Sequence, residues 1–139
     1  MRTPTKLFTL SEANALIPNI RERYLIILEK KESHARRHDE LFLHELLTEA
    51  ESELGKNPSL DNLELEIHGF EASMAEFVQD IKAILDLGCT FRTNELCCID
   101  FPAKNGSEII YYCWKPEEAK IAFYHPAQNG SEERLPLRV

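Results

Sequence analysis

The sequence predicts an α+β protein: a long antiparallel helical hairpin over residues 10–87, then a small three- to four-stranded antiparallel sheet over 88–139. Three observations predict it. Residues of one helix face recur at alternating three- and four-residue steps from Leu10 to Leu41, apolar as far as Ile27, and apolar residues do so again from Leu60 to Ile84. No Gly or Pro lies between Pro18 and Gly55 to interrupt the first run. After Gly88 the chain changes to short segments rich in branched and aromatic residues, separated by polar turns. With 139 residues, 43% of them hydrophobic, the chain suits one domain with its own core.

The first helix begins at Thr9-Leu-Ser-Glu12, a capping box in which the Thr hydroxyl and the Glu carboxylate each reach the other's amide. Phe8 stands where a hydrophobic staple starts. The stripe Leu10, Ala13, Ile17, Ile20, Tyr24, Ile27 continues through Lys31, His34, His38 and Leu41. Pro18, about two turns in, removes one backbone hydrogen bond and bends the rod without ending it. The helix either runs unbroken to about Leu54 or breaks within the charge-dense residues 29–40, and both remain open on this pattern. Residues 55–59, Gly-Lys-Asn-Pro-Ser, form a turn, with Asn57 or Ser59 able to cap the next helix. The second helix carries the seam Leu60, Leu63, Ile67, Phe70, Met74, Phe77, Ile81 and Ile84 and stops at Gly88. Antiparallel pairing aligns it with the C-terminal part of the longer first helix. Residues Leu10 to about Ile27 are then left to pack on the sheet.

The sheet reads as strands at residues 89–93, 96–103, 108–114 and 120–125. Asn105-Gly106 is a hairpin signal; as a two-residue turn it places Cys98 opposite Cys113 and Asp100 opposite Tyr111. Cys97, Ile99, Phe101, Ile110, Tyr112 and Trp114 then share an apolar face, and Cys98, Asp100, Tyr111 and Cys113 the other. A two-residue turn at Glu117-Glu118 adds Ile121, Phe123 and His125 to the apolar face, away from Asp100. A slip of one residue exchanges these assignments.

The segments FTLSEANALIP, GCTFR, IDFPA, CWK, Ile121-x-Phe-Tyr-His125 and Gly130-x-x-x-Arg134-x-Pro136-Leu137 together resemble the bacterial family known as domain of unknown function 2203. The likeness covers both ends and about half of the chain. It implies that Asp100, Phe101, Cys113, Trp114, His125, Arg134 and Pro136 are signature positions. This chain departs from the pattern at Tyr124, where the family carries Trp, at Glu117-Glu118, where it carries Gly-Glu, and at Cys97, where it carries Gly. The resemblance implies no activity.

A net charge of −8 repels phosphate backbones and anionic bilayers, so nucleic acid and membrane are disfavoured as partners. The start of the chain has a Pro and a capping box where a secretory peptide needs an unbroken apolar core, which predicts a cytoplasmic protein. Its four cysteines are then expected as free thiols. The candidate ligand-binding set is Asp100, Cys113, Trp114, His125 and Arg134: a carboxylate, an imidazole and a guanidinium can hold a polar or anionic ligand, and aromatics can stack on one. The competing reading is structural, with Arg134 pairing Asp100 to pin the tail. Cys89, Cys97, Cys98 and Cys113 with His125 offer sulfur and nitrogen to a metal, but they lack knuckle spacing and read first as small apolar filler, with a cross-strand Cys98–Cys113 disulfide as the alternative. His34 and His38, four apart, are a candidate metal pair, with Glu45 one to two turns further along; a solvated charged face is the alternative. No motif demands a cofactor, and a divalent metal is the class these side chains allow. Unequal helices with continuous apolar stripes leave surface for a second copy or another protein, so the chain reads first as a self-associating binding protein. The alternative is a small-ligand or metal-dependent enzyme using Asp100, His125 and Arg134.

Overall fold

The computed structural model describes residues 6–58, 60–93, 96–126 and 133–137. Two helices, α1 (Leu10–Glu53) and α2 (Asp61–Leu85), precede five strands: β1 (Thr90–Phe91), β2 (Ile99–Asn105), β3 (Glu108–Trp114), β4 (Phe123–Pro126) and β5 (Leu135–Pro136). The chain divides into two compact units. One joins the chain up to Tyr24 with the chain from Lys82 onward; the other is Leu25–Ile81.

The capping box forms as the sequence indicates. The Thr9 amide donates to Glu12 Oε1 at 3.0 Å, and the Glu12 amide to Thr9 Oγ1 at 3.1 Å. Helix α1 then runs through Pro18 and the charged stretch without a break, so of the two possibilities the continuous helix is the one that forms. Its end at Gly55 satisfies two carbonyls: the Gly55 amide bonds Ser52 and the Lys56 amide bonds Glu51, with Gly55 at φ 77°. Gly88, at φ 103°, closes the turn after α2 through its bond to Leu85.

In the sheet unit, the first turns of α1 bury Ala13, Ile17, Ile20 and Tyr24 on one face of the strands. Phe8 meets Phe101 edge-on at 5.3 Å, Tyr24 meets Trp114 at 6.1 Å, and the Phe8 amide donates to the Pro102 carbonyl at 2.7 Å. The expectation that this part of α1 packs on the sheet is therefore met. The five strands form an antiparallel meander in the order β1-β2-β3-β4-β5. The last strand, two residues long, extends the sheet beyond the expected three or four.

Both turn-derived registers need correction. Asn105 stays in β2 and pairs with Glu108, so the loop is Gly106-Ser107, with Gly106 supplying the positive φ of 65° that a two-residue hairpin loop requires. Asp100 therefore pairs with Cys113, not Tyr111. Because partners shift by two positions, the faces of β2 and β3 are those expected. Cys97 is the exception: it lies before β2 and is exposed.

The second hairpin differs by one residue, which inverts β4. Tyr111 pairs with His125 and Cys113 with Phe123, placing His125 and Phe123 on the Asp100 face. The cause is a longer connection. The Lys115 amide bonds Glu118 Oε1 at 2.8 Å and the Glu118 amide bonds the Lys115 carbonyl at 2.9 Å, folding a tight turn. The Glu118 carbonyl accepts from the Trp114 indole at 2.9 Å and from Arg21 at 2.8 Å, while Asn14 Oδ1 takes the Ile121 amide at 2.9 Å. These anchors hold the chain off the ladder until Phe123.

In the helical unit, Lys30 bridges Glu76 at 3.0 Å and Asp80 at 2.5 Å, Arg37 donates to Ser73 at 3.1 Å, and His44 meets Glu66 at 3.0 Å. Among the described residues of this unit only Ile27 and Leu63 are buried.

The Tyr24 hydroxyl donates to the Leu96 carbonyl, and Leu96 adopts φ 60°. Burial pushes the Tyr24 phenol up to about 12, with Cys97 and Glu117 adding to it, from 10.0 in an unfolded chain. Between those values the folded state keeps a proton that the unfolded state releases, so stability falls as pH rises from about 10 to about 12. Urea denaturation at about pH 9 and about pH 11 should show Tyr24→Phe flattening this loss, at a cost of about 1 kcal/mol near neutrality.

Candidate functional site

Strand alternation puts Cys98, Asp100, Tyr111, Cys113, Phe123 and His125 on the sheet face opposite Trp114. The ladder continues past β1, where the Arg92 amide bonds the Cys98 carbonyl at 3.0 Å, so Arg92 shares this face. Arg134, just before β5, joins from the other side: it sits 4.3 Å over the Phe123 ring and donates to the Cys113 carbonyl at 3.4 Å.

Cys98, Asp100, Cys113 and His125 are all buried, and each offers one ligand atom within 4.8 Å of the others. The Cys98 and Cys113 sulfurs meet as a disulfide across a Cα separation of 6.6 Å. The free-thiol expectation is thus corrected for this pair, while Cys89 and Cys97 are free.

Two buried polar groups dominate the electrostatics. Asp100 Oδ2 pairs with Arg92 Nε at 2.8 Å, and Oδ1 lies 3.9 Å from the Cys98 sulfur. Burial pushes the Asp100 carboxyl up to about 6, opposed by the charges of Arg92 and Arg134. His125 Nδ1 is 2.7 Å from the Glu133 carbonyl. A carbonyl only accepts, so Nδ1 carries the hydrogen and Nε2 presents a lone pair. That Nε2 is buried and, among the described residues, has no hydrogen-bond partner. Burial lowers the His125 pKa, and Arg92, Arg134 and Lys115 lower it further while the Glu133 bond opposes, which favours the neutral ring.

Of the residues singled out in the sequence, Asp100, Cys113, His125 and Arg134 come together. Trp114 does not: it points into the core against Tyr24. Arg134 pairs with Glu118 Oε1 at 2.7 Å, not with Asp100 as the structural reading had it. His34 is wedged between Phe70 and Phe77, and His38 is mostly exposed 3.6 Å from Asp39. Among the described residues no third ligand joins them. Arg92 and Glu118 are the members the sequence reading missed, whereas Cys98 was already placed on this face with Cys113. A charged residue inside the short segment CTFRT was the signal for Arg92; Glu118 acquires its role only through the register.

These features define an α+β protein with a buried polar cluster on one face of a meander sheet. The chain belongs to the family described as uncharacterized conserved protein (DUF2203), whose model matches residues 6–137. No curated protein and no solved structure matches it. Among the described residues, no helix is long and apolar enough to cross a membrane.

Arg92→Ala strands the Asp100 carboxylate in a buried position and should cost about 3–5 kcal/mol in urea denaturation near neutral pH. Adding Asp100→Asn should recover part of that loss.

Proposed function

We propose that this chain is a cytoplasmic binding protein whose sheet face holds a compact polar ligand at Asp100, Cys113, His125 and Arg134. One observation carries the reading: ligand atoms of the buried Cys98, Asp100, Cys113 and His125 converge within 4.8 Å, and one of them, His125 Nε2, has no partner among the described residues. A buried acceptor left unbonded costs about 1–3 kcal/mol, so a site that keeps one is built for an occupant. A purely structural sheet would place hydrocarbon there at less cost.

Thermal melts with Zn2+, inorganic phosphate and citrate, each added separately, test this. At least one should raise the Tm by several degrees in the native chain and not in His125→Ala. No shift with any of the three sinks the ligand site.

A second reading has its own support: self-association through the helical unit. No described residue from 28 to 58 is buried, and Phe42, Leu43, Leu46, Leu47 and Leu65 are all about half exposed or more, from 47% for Leu46 to 70% for Leu65. Two paired helices form a single layer, and a second copy completes a four-helix bundle. Paired helix about 30 Å long and two diameters wide presents on the order of 600 Å² before side chains interdigitate, close to the ~800 Å² per partner of a standard interface. Light scattering after size exclusion at tens of micromolar should give the mass of a dimer, and Leu43→Glu with Leu47→Glu should give that of a monomer. A native chain that stays monomeric contradicts this reading.

A further inference from the structure

Resting on the ligand-site reading, we infer that the occupant is a transition-metal ion of the zinc class, held by Cys98, Asp100, Cys113 and His125 once their disulfide is reduced. Two sulfurs, one imidazole nitrogen and one carboxylate oxygen make the four-donor set that suits tetrahedral zinc; calcium and magnesium take oxygen and refuse sulfur. Zinc bonds of about 2.0–2.3 Å set neighbouring donors about 3.3–3.8 Å apart. A cluster already within 4.8 Å reaches that spacing by small side-chain rotations.

Supporting contacts aim the donors. The Glu133 carbonyl holds the Nδ1 hydrogen of His125 and turns the bare Nε2 inward. Arg92 holds Oδ2 of Asp100, which leaves Oδ1 on the side of the sulfurs. A bound divalent ion with two thiolates and one carboxylate carries a net charge of −1. Arg92 and Arg134 on the same face offset it. A disulfide alone uses only the sulfurs and leaves Nε2 unsatisfied, whereas the metal uses all four donors.

The spacing explains why no cysteine motif announces the site. Its ligands come from three adjacent strands and the residue before one of them: Cys98 just before β2, Asp100 two residues on in β2, Cys113 opposite Asp100 on β3, and His125 on β4. The chemistry balances with an external dithiol as reductant. It passes two electrons to the S–S bond, giving two protein thiols and one oxidised dithiol. Each thiol then loses its proton as a metal–sulfur bond forms.

The full chain, reduced with a phosphine, loaded with Zn2+ and desalted, should carry one zinc per chain by native mass spectrometry and elemental analysis. Cobalt(II) in its place should give the visible bands of a tetrahedral site with thiolate charge transfer, and Cys113→Ser should weaken the charge-transfer band. His125→Ala should lower zinc affinity at least about tenfold. Where a variant fails to fold, a zinc-dependent rise in the Tm of the native reduced chain decides in its place. A folded chain in which Cys98 and Cys113 titrate as free thiols but which takes up neither zinc nor cobalt overturns the assignment; so does zinc binding that survives Cys98→Ser with Cys113→Ser. If phosphate or citrate still raises the Tm in that event, the ligand site stands and only the metal falls.

Discussion

The pairing of β3 with β4 decides which face of the sheet carries His125. Side chains alternate along a strand, so the offset of a single residue determines whether His125 faces the helix-covered core or the face bearing Asp100 and Cys113. That offset is set at some distance from the histidine. The Lys115–Glu118 turn is clamped by the Trp114 indole and Arg21 on the Glu118 carbonyl, and Asn14 holds Ile121 clear of the ladder. Two residues from the first turns of α1 therefore take part in fixing the register. Glu118 serves the turn and the site together, since its carboxylate also holds Arg134.

The sheet has two buried faces of opposite character. Ile99–Ala103 is buried at every position, which in an alternating strand means that neither side meets water. One side is closed by ordinary packing of Phe8 against Phe101 and Tyr24 against Trp114. The other is closed by charge and sulfur: Arg92 on Asp100, Arg134 over Phe123, and the cysteine pair between them. Taking ionised groups out of water costs several kcal/mol each, so the second face is the costlier of the two to bury.

Local chemistry was legible in the sequence. The Thr9–Glu12 box, the stripe that buries Ala13 to Tyr24, the stop at Gly88 and the two faces of β2 and β3 all derive from short-range pattern and appear in the fold. Even the misplaced Asn105-Gly106 loop left those faces unchanged, because it moved the pairing by two. His125 was not legible for the opposite reason. Its face depends on contacts such as Arg21 with Glu118, 97 residues apart in the chain, that no local turn rule contains. Strand β5 is two residues long and too short to show a period, and Arg92 becomes meaningful only once Asp100 is placed beside it. The helical unit was readable as a seam, yet most of that seam is only partly covered, because a stripe at helical spacing specifies packing without naming the partner.

The strand pairing that carries His125 to the Asp100 face underlies the whole site, and cross-strand backbone nuclear Overhauser effects in the isotope-labelled chain measure it most directly. Contacts linking Tyr111 with His125 and Cys113 with Phe123 are the predicted result. Contacts that instead link Ile110 with His125 and Tyr112 with Phe123 would turn the imidazole into the apolar core, separate it from Asp100 and the two sulfurs, and contradict the site altogether.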